Sequence, residues 1–286
     1  MTIDPLQPAP APEPSPSTAP PAEAIPTTPP PFALMPPSLP EPVPPRQPWR
    51  FWATLGWGLL VLLGWFLVQA IVTIVIMVGS GMFSNHFDLS SEEQMQAFKI
   101  RMMSLSFCPA TIISCPVGLA LIWLFIRIRR LPVLEYLGLR RVRVKPLLIS
   151  LGAMLAVVLG MDFLANMARL DTGDEVMTQI LLQAPSKFPV WVALVMAAPL
   201  FEELCFRGFL FRGFSLAIGP ILTILLTSAS FAALHTQYNI FGMLMVFTAG
   251  LTLGCTRWLT GSTTITILQH ALMNGMAFVQ AYYFQN

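Results

Sequence analysis

Long apolar runs recur through this chain of 286 residues, and several of them extend over 18 residues or more. A run of that length can cross a hydrocarbon core of about 30 Å as a helix. Only 10% of the residues are charged, whereas soluble domains have about a quarter. Runs such as 59–68 and 119–126 are apolar on every side and lack the alternation of a membrane β-barrel. The sequence therefore predicts an all-α bundle of transmembrane helices.

Seven apolar segments can be assigned along the chain, with boundaries good to about 2 to 4 residues. They are 51–80, 103–127, 147–167, 188–211, 215–235, 240–259 and 264–284. Pro199 lies inside the fourth segment and is expected to kink it just before an acidic pair, because proline removes a helical hydrogen bond. The expected total is seven to eight membrane helices.

The N-terminal residues 1–48 differ in composition, since they hold 19 of the 27 prolines. Proline at this density forbids helix and leaves too little apolar surface for a core, so a disordered tail is expected. Its proline runs at 29–31 and 42–45 are either part of a solvated tether or a docking site for a tail-binding partner. The remaining chain divides into N-terminal membrane helices and loops, 49–187, and a polar-motif core, 188–284.

Basic residues at the segment ends predict the orientation in the membrane. With a cytoplasmic N-terminus, twelve of the 16 Lys and Arg residues lie on the inner side, namely Arg46, Arg50, Arg127, Arg129, Arg130, Arg140, Arg141, Arg143, Lys145, Arg207, Arg212 and Arg257. The outer side keeps four: Lys99, Arg101, Arg169 and Lys187. The positive-inside rule therefore places the N-terminus in the cytoplasm. Because organelle targeting features are missing, a bacterial inner membrane is expected.

Cysteine placement and net charge exclude other classes of function. Cys108, Cys115, Cys205 and Cys255 all fall inside predicted membrane helices without metal-ligand spacing, so buried free thiols are expected. The net charge is only +2 and no basic stripe with interleaved aromatics occurs, which excludes nucleic acid as a partner. The expected partners are the lipid bilayer and a peptide or membrane-protein substrate.

The fourth segment contains two adjacent carboxylates, Glu202 and Glu203, followed by Arg207. Residues four apart share a helix face, so Glu203 and Arg207 are expected to form an ion pair, while Glu202 points about 100° away. The pair is either a salt bridge near a helix end or part of a site in which two carboxylates have unlike environments. Unlike environments are how acid and base roles are divided.

Two further polar clusters lie on later apolar segments. His235 ends the fifth segment, four residues after Phe231, and His270 and Asn274 share one face of the seventh. A single such residue more often forms an interhelical hydrogen bond than a catalytic site. Three clusters on three late helices favour a functional site, since polar groups in a membrane are costly.

In this order, Glu202-Glu203-x-x-x-Arg207, Phe231-x-x-x-His235 and His270-x-x-x-Asn274 resemble the three motifs of the CPBP family, the CAAX proteases and bacteriocin-processing enzymes also called Abi. The resemblance covers 188–284 and implies a polytopic intramembrane endopeptidase with catalytic residues Glu202, Glu203, Arg207, His235, His270 and Asn274. Family members commonly have about eight membrane helices. The family has also been described as metalloproteases.

Two mechanisms fit these residues. In the metal-free mechanism, which the resemblance favours, Glu202 and His235 activate a water molecule, His270 and Asn274 bind the oxyanion, and Glu203 with Arg207 orients Glu202. In the alternative, Glu202, His235 and His270 bind zinc and leave a fourth position for water. No HExxH motif occurs, so those ligands would converge from different helices.

Two other classes of function stay open. One is a non-proteolytic membrane factor for immunity or regulation, and the other is a transporter, although the first half of the chain has no second copy of the acidic motif. Gly250 and Gly254, spaced as small-xxx-small, are expected to pack the sixth segment closely against the motif-bearing helices or to form a dimer contact.

Overall fold

The computed structural model describes residues 49–81, 91–171, 175–184 and 186–284. These residues form helices and turns, with no β-strand among them, so the all-α prediction is confirmed. The elements, including two π-helices, are α1 (Phe51–Gly79), α2 (Glu92–Ile128), α3 (Val133–Tyr136), α4 (Val144–Ala168), α5 (Glu175–Gln183), α6 (Lys187–Trp191), π1 (Val192–Ala197), α7 (Ala198–Glu203), π2 (Leu204–Leu210), α8 (Phe211–Ala233), α9 (Ile240–Thr260) and α10 (Thr263–Phe284). The predicted disordered tail, 1–48, lies outside the described residues.

Five helices of the described chain are long and apolar enough to cross a membrane: α1, α2, α4, α9 and the continuous stretch Lys187–Ala233. That stretch contains both the fourth and the fifth predicted segments. Gly219 separates them, because its backbone is non-helical (φ 78°, ψ 166°) and Pro220 follows it. The seventh predicted segment is α10. This helix is long enough to span a membrane, but its polar side chains make it less apolar than the five candidate spans. The chain is therefore an integral membrane protein, and its five candidate spanning helices contain six of the seven predicted segments, two of them within Lys187–Ala233.

The distribution of side chains agrees with a lipid surround. Large apolar residues point outward from the bundle, such as Leu63 and Ile74 of α1, which are 64% and 56% exposed. Small polar residues lie inside instead, among them Ser114 of α2 and Thr223 and Thr227 of α8. Apolar surface toward the outside is expected when the solvent is hydrocarbon, because lipid does not drive apolar side chains inward.

Aromatic packing fixes the position of α7, the helix that carries the acidic pair. Trp65 of α1 stacks on Phe201, with ring centroids 4.5 Å apart and planes 14° from parallel. On the other side, Gly118 of α2 lies so close that a Cβ atom there would overlap the Phe201 ring. Phe201 is 1% exposed. α7 is therefore held between α1 and α2.

The prediction of close packing through Gly250 and Gly254 is confirmed. A Cβ atom on Gly250 would lie 3.0 Å from Cβ of Ser228, and one on Gly254 would lie 3.0 Å from Cγ2 of Ile224. Both neighbours belong to α8, the helix that ends at the second motif. The two glycines therefore let α9 approach the backbone of a motif-bearing helix.

The cysteine prediction is confirmed for three positions and wrong for one. Cys108, Cys115 and Cys205 are free and buried, whereas Cys255 is free but exposed. Cys255 precedes Thr256 and Arg257, which are buried, so its own side chain faces outward from α9. A membrane helix has a lipid-facing side, and an apolar sequence alone does not indicate which residues occupy it.

Candidate active site

The helix that carries the acidic pair is irregular. π1 and π2 flank the single α-helical segment α7, and Pro199 lies in the first turn of α7. Proline has no N–H to donate to the carbonyl four residues earlier, so a wider turn before it satisfies the geometry. The expected kink at Pro199 is therefore realised as π-helical turns, a feature that is common at functional sites.

Glu203 lies at the centre of the site and is completely buried. Its Oε1 atom is 2.9 Å from Nη1 of Arg207, which is also completely buried, so the predicted ion pair is confirmed. The same Oε1 atom is 2.9 Å from Nδ1 of His270. The contact with His270 was not predicted. Glu203 therefore joins the first motif to the third.

Glu202 has a different environment from Glu203, as the spacing predicted. Its side chain is 16% exposed, and its Oε2 atom lies 3.7 Å from Nε2 of His270. That distance is too long for a direct hydrogen bond, but a bridging water molecule would fit such a separation. One carboxylate is thus buried and neutralised, and its neighbour is partly open.

His270 lies between the two carboxylates and is 1% exposed. Because an ionised carboxylate only accepts hydrogen bonds, the contact with Glu203 assigns a proton to Nδ1 of His270. The ring is thereby held with Nε2 directed toward Glu202. A carboxylate that fixes the orientation of a histidine is a recurrent arrangement in catalytic sites.

Phe231 contacts all three motifs through its ring. Its centroid is 4.6 Å from that of His235 and 5.7 Å from that of His270, and Cζ of Arg207 lies 4.7 Å from it. The cation–π contact gives the buried guanidinium a second favourable neighbour. The sequence pattern included Phe231 in a motif but gave no role for it.

His235 is half-buried at the end of α8. Its Nδ1 atom lies 2.8 Å from the carbonyl oxygen of Phe231, so Nδ1 donates and Nε2 is left to face other groups. The ring is also nearly parallel to that of Tyr238, with centroids 6.3 Å apart. The ring of Phe231 therefore lies between His235 and the other motif residues that it contacts, His270 among them.

Asn274 is one turn after His270 on α10. Its side-chain nitrogen donates to the carbonyl oxygen of Leu194 in π1 at 2.8 Å. This hydrogen bond uses one N–H of the side-chain amide, and the second N–H can donate to another acceptor. Asn274 also lines a cavity of about 450 Å³ between α4, α9 and α10, together with Asp162, Asn166, Tyr238, Met273 and Gln280.

Gly250 and Arg257 support the site, and neither role was predicted. Nη2 of Arg207 donates to the carbonyl oxygen of Gly250 at 3.1 Å. The backbone carbonyl of Arg207 accepts from Nε of Arg257 at 2.8 Å. The pairing of Glu203 with Arg207 was readable from i,i+4 spacing, but contacts between α9 and π2 depend on how distant segments pack. Both arginines are buried.

The described residues contain no group of three or more His, Cys, Asp or Glu side chains placed to bind a metal ion. Of the alternative zinc ligands, Glu202 and His270 approach each other, whereas His235 contacts Phe231 and Tyr238. These three side chains therefore do not form a preformed zinc site among the described residues.

Comparison with known proteins gives one match. Residues 184–276 match a family described as type II CAAX prenyl endopeptidase Rce1-like. No curated protein and no solved structure shows a significant match to the chain. The matched segment contains all six predicted site residues. The resemblance to the CAAX proteases is thus confirmed for the segment that carries the candidate site, which is about a third of the chain.

Proposed function

We propose that this chain is an intramembrane endopeptidase that hydrolyses a peptide bond with a water molecule activated by Glu202. The observation that carries the proposal is the unequal pair of carboxylates around His270. Glu203 is buried and bonded to Arg207 and His270, while Glu202 is partly exposed and faces the other nitrogen of the same ring. The Rce1-like match supports the same class of reaction.

In the proposed mechanism, His270 carries a proton on each ring nitrogen, and Nδ1 donates to Glu203. Nε2 then becomes a hydrogen-bond donor that is aimed at the same space as Glu202.

In the proposed reaction, Glu202 takes a proton from a water molecule whose oxygen attacks the peptide carbonyl carbon. The resulting oxyanion accepts hydrogen bonds from Nε2 of His270 and from the second N–H of Asn274. No hydrogen bond or ion pair joins His235 to Glu202 among the described residues, so Nε2 of His235 is assigned a supporting role, the orientation of the attacking water. When the C–N bond breaks, Glu202 returns its proton to the leaving amine.

Water and an unfolded peptide need a polar route to this site, because hydrocarbon excludes both. The cavity of about 450 Å³ that Asn274 lines is the candidate for this route, since Asp162, Asn166 and Gln280 also line it. We infer that the substrate is a peptide or a membrane-protein segment that enters through this cavity.

We further infer that the N-terminus is cytoplasmic and that the protein resides in a bacterial inner membrane. Without the buried Arg207 and Arg257, ten basic residues remain on the inner side against four outside, and the bias keeps its sign.

The proposal can be tested with the purified full chain in lipid nanodiscs and a panel of quenched fluorogenic peptides. The panel contains matched C-terminal peptides with and without a farnesyl group. We expect cleavage by the wild type that is lost in Glu202→Gln and kept in Glu93→Gln, which changes an exposed carboxylate in the first turn of α2. Cleavage that persists in Glu202→Gln would contradict the assignment. Intact peptides throughout the panel would favour the non-proteolytic membrane factor.

A further inference from the structure

A second pocket opens at the end of the bundle where α3, α8 and α9 meet, and none of the six motif residues lines it. Its volume is about 340 Å³. The polar and aromatic residues around it are Glu135, Arg140, Arg212, Ser215, Arg257 and Trp258. Three guanidinium groups therefore face one carboxylate, and the lining has an excess of two positive charges.

The three arginines are not neutralised by neighbouring acids. Among the described residues, the ion pairs join only Glu202, Glu203, Arg207 and His270. Arg140 and Arg212 instead bring like charges close to Arg257. Like charges that converge on one pocket are unfavourable unless an anion binds between them.

Arg257 is 8% exposed, so its charge is more than nine-tenths buried. Its Nε atom donates to the backbone carbonyl of Arg207, and its guanidinium lies over the ring of Phe211, 5.4 Å from the centroid. Its two terminal nitrogens have no hydrogen bond to any described residue. These are strong donors on a side chain that lines the pocket, and a ligand oxygen would satisfy them.

Two glycines with positive φ fit closely around the guanidinium groups. A Cβ atom on Gly138 (φ 69°) would overlap the guanidinium of Arg257, and one on Gly261 (φ 67°) would lie 2.9 Å from Nη1 of Arg140. Only glycine lets the backbone lie this close to a guanidinium group, because any other residue would add a Cβ atom there. The backbone turns at Gly138 and Gly261 thus lie directly against the guanidinium groups of Arg257 and Arg140.

We propose that Arg140, Arg212 and Arg257 form a binding site for a phosphate group, carried by an anionic phospholipid or free in solution. Planar guanidinium groups match phosphate oxygens well. Trp258 is 49% exposed beside the pocket, as is typical of a tryptophan at a membrane interface. Basic pockets between membrane helices are known to take anionic headgroups.

Native mass spectrometry of the full chain, titrated with phosphatidylglycerol or phosphatidylcholine in detergent, tests the proposal without reference to peptidase activity. The wild type is expected to retain one phosphatidylglycerol in preference to phosphatidylcholine. The double variant Arg140→Gln/Arg212→Gln should bind phosphatidylglycerol about 25-fold more weakly, at about fivefold per arginine. Both side chains are exposed, so the variant should fold.

The matched control is Arg141→Gln/Arg143→Gln, which removes the same charge from exposed positions outside the pocket. It should bind phosphatidylglycerol like the wild type. Displacement of the lipid by inorganic phosphate, or a rise in Tm with phosphate alone that the Arg140/Arg212 variant lacks, would assign the site to free phosphate as well. Equal weakening in both double variants, or no binding of either phosphatidylglycerol or phosphate by the wild type, would overturn the proposal.

Discussion

Replacing Glu203 by Gln removes one negative charge from the centre of the site while keeping nearly the same size. Arg207 is completely buried and has no other carboxylate among its described ion-pair partners. Its remaining contacts are the carbonyl of Gly250 and the rings of Phe206 and Phe231. The substitution therefore leaves a buried charge without compensation, which typically costs about 3 to 5 kcal/mol of folding free energy.

Thermal unfolding of the purified protein in detergent measures this loss. A change of 1 kcal/mol moves Tm by about 2 to 4 °C in a chain of this size, so Glu203→Gln should lower Tm by about 6 to 20 °C. The double variant Glu203→Gln/Arg207→Met should recover part of the loss, because the stranded charge is gone. Both variants should lose activity, since Glu203 also orients His270.

Glu202→Gln is the matched control, because the same chemical change is made one residue earlier on a partly exposed side chain. Its Tm should stay within about 2 °C of the wild type, on the scale of substitutions that break no buried contact. Equal Tm values for Glu202→Gln and Glu203→Gln would refute the buried ion pair. A double variant less stable than Glu203→Gln alone would refute the account of the stranded charge.

Three further predictions follow from the packing and topology. Gly250→Val should lower stability by about 1 to 3 kcal/mol in thermal unfolding, because its Cβ would meet Ser228 of α8, whereas Gly152→Val, which faces open space, should not. Peptidase activity should persist after chelation, and one tightly held zinc per chain whose removal abolishes activity would contradict the metal-free mechanism. A reporter within 128–145 should read cytoplasmic and one within 170–186 external, and reversed readings would refute the orientation.

The sequence predicted the local features of the site well, because they depend on spacing within one helix. The Glu203–Arg207 pair and the division between the two glutamates both follow from the 100° step between neighbouring residues. The close packing at Gly250 and Gly254 was likewise readable from small-residue spacing. Each of these predictions needed only one segment of the chain.

Contacts between distant segments were not readable in the same way. The hydrogen bond between His270 and Glu203 joins α10 to α7. The hydrogen bond from Asn274 to the carbonyl oxygen of Leu194 depends on a π-helical turn. Register between helices is set by packing, and a single sequence carries little information about it.

The central claim is that Glu202 activates a water molecule for peptide hydrolysis. The most direct measurement compares new peptide termini, by mass spectrometry, in membranes that contain the wild type, Glu202→Gln or Glu93→Gln and are incubated in ¹⁸O-labelled water. With the wild type and Glu93→Gln, ¹⁸O-labelled C-termini are expected, and with Glu202→Gln the rate of their formation should fall by a factor of about 10² to 10⁴. Identical sets of labelled termini in all three samples would contradict it.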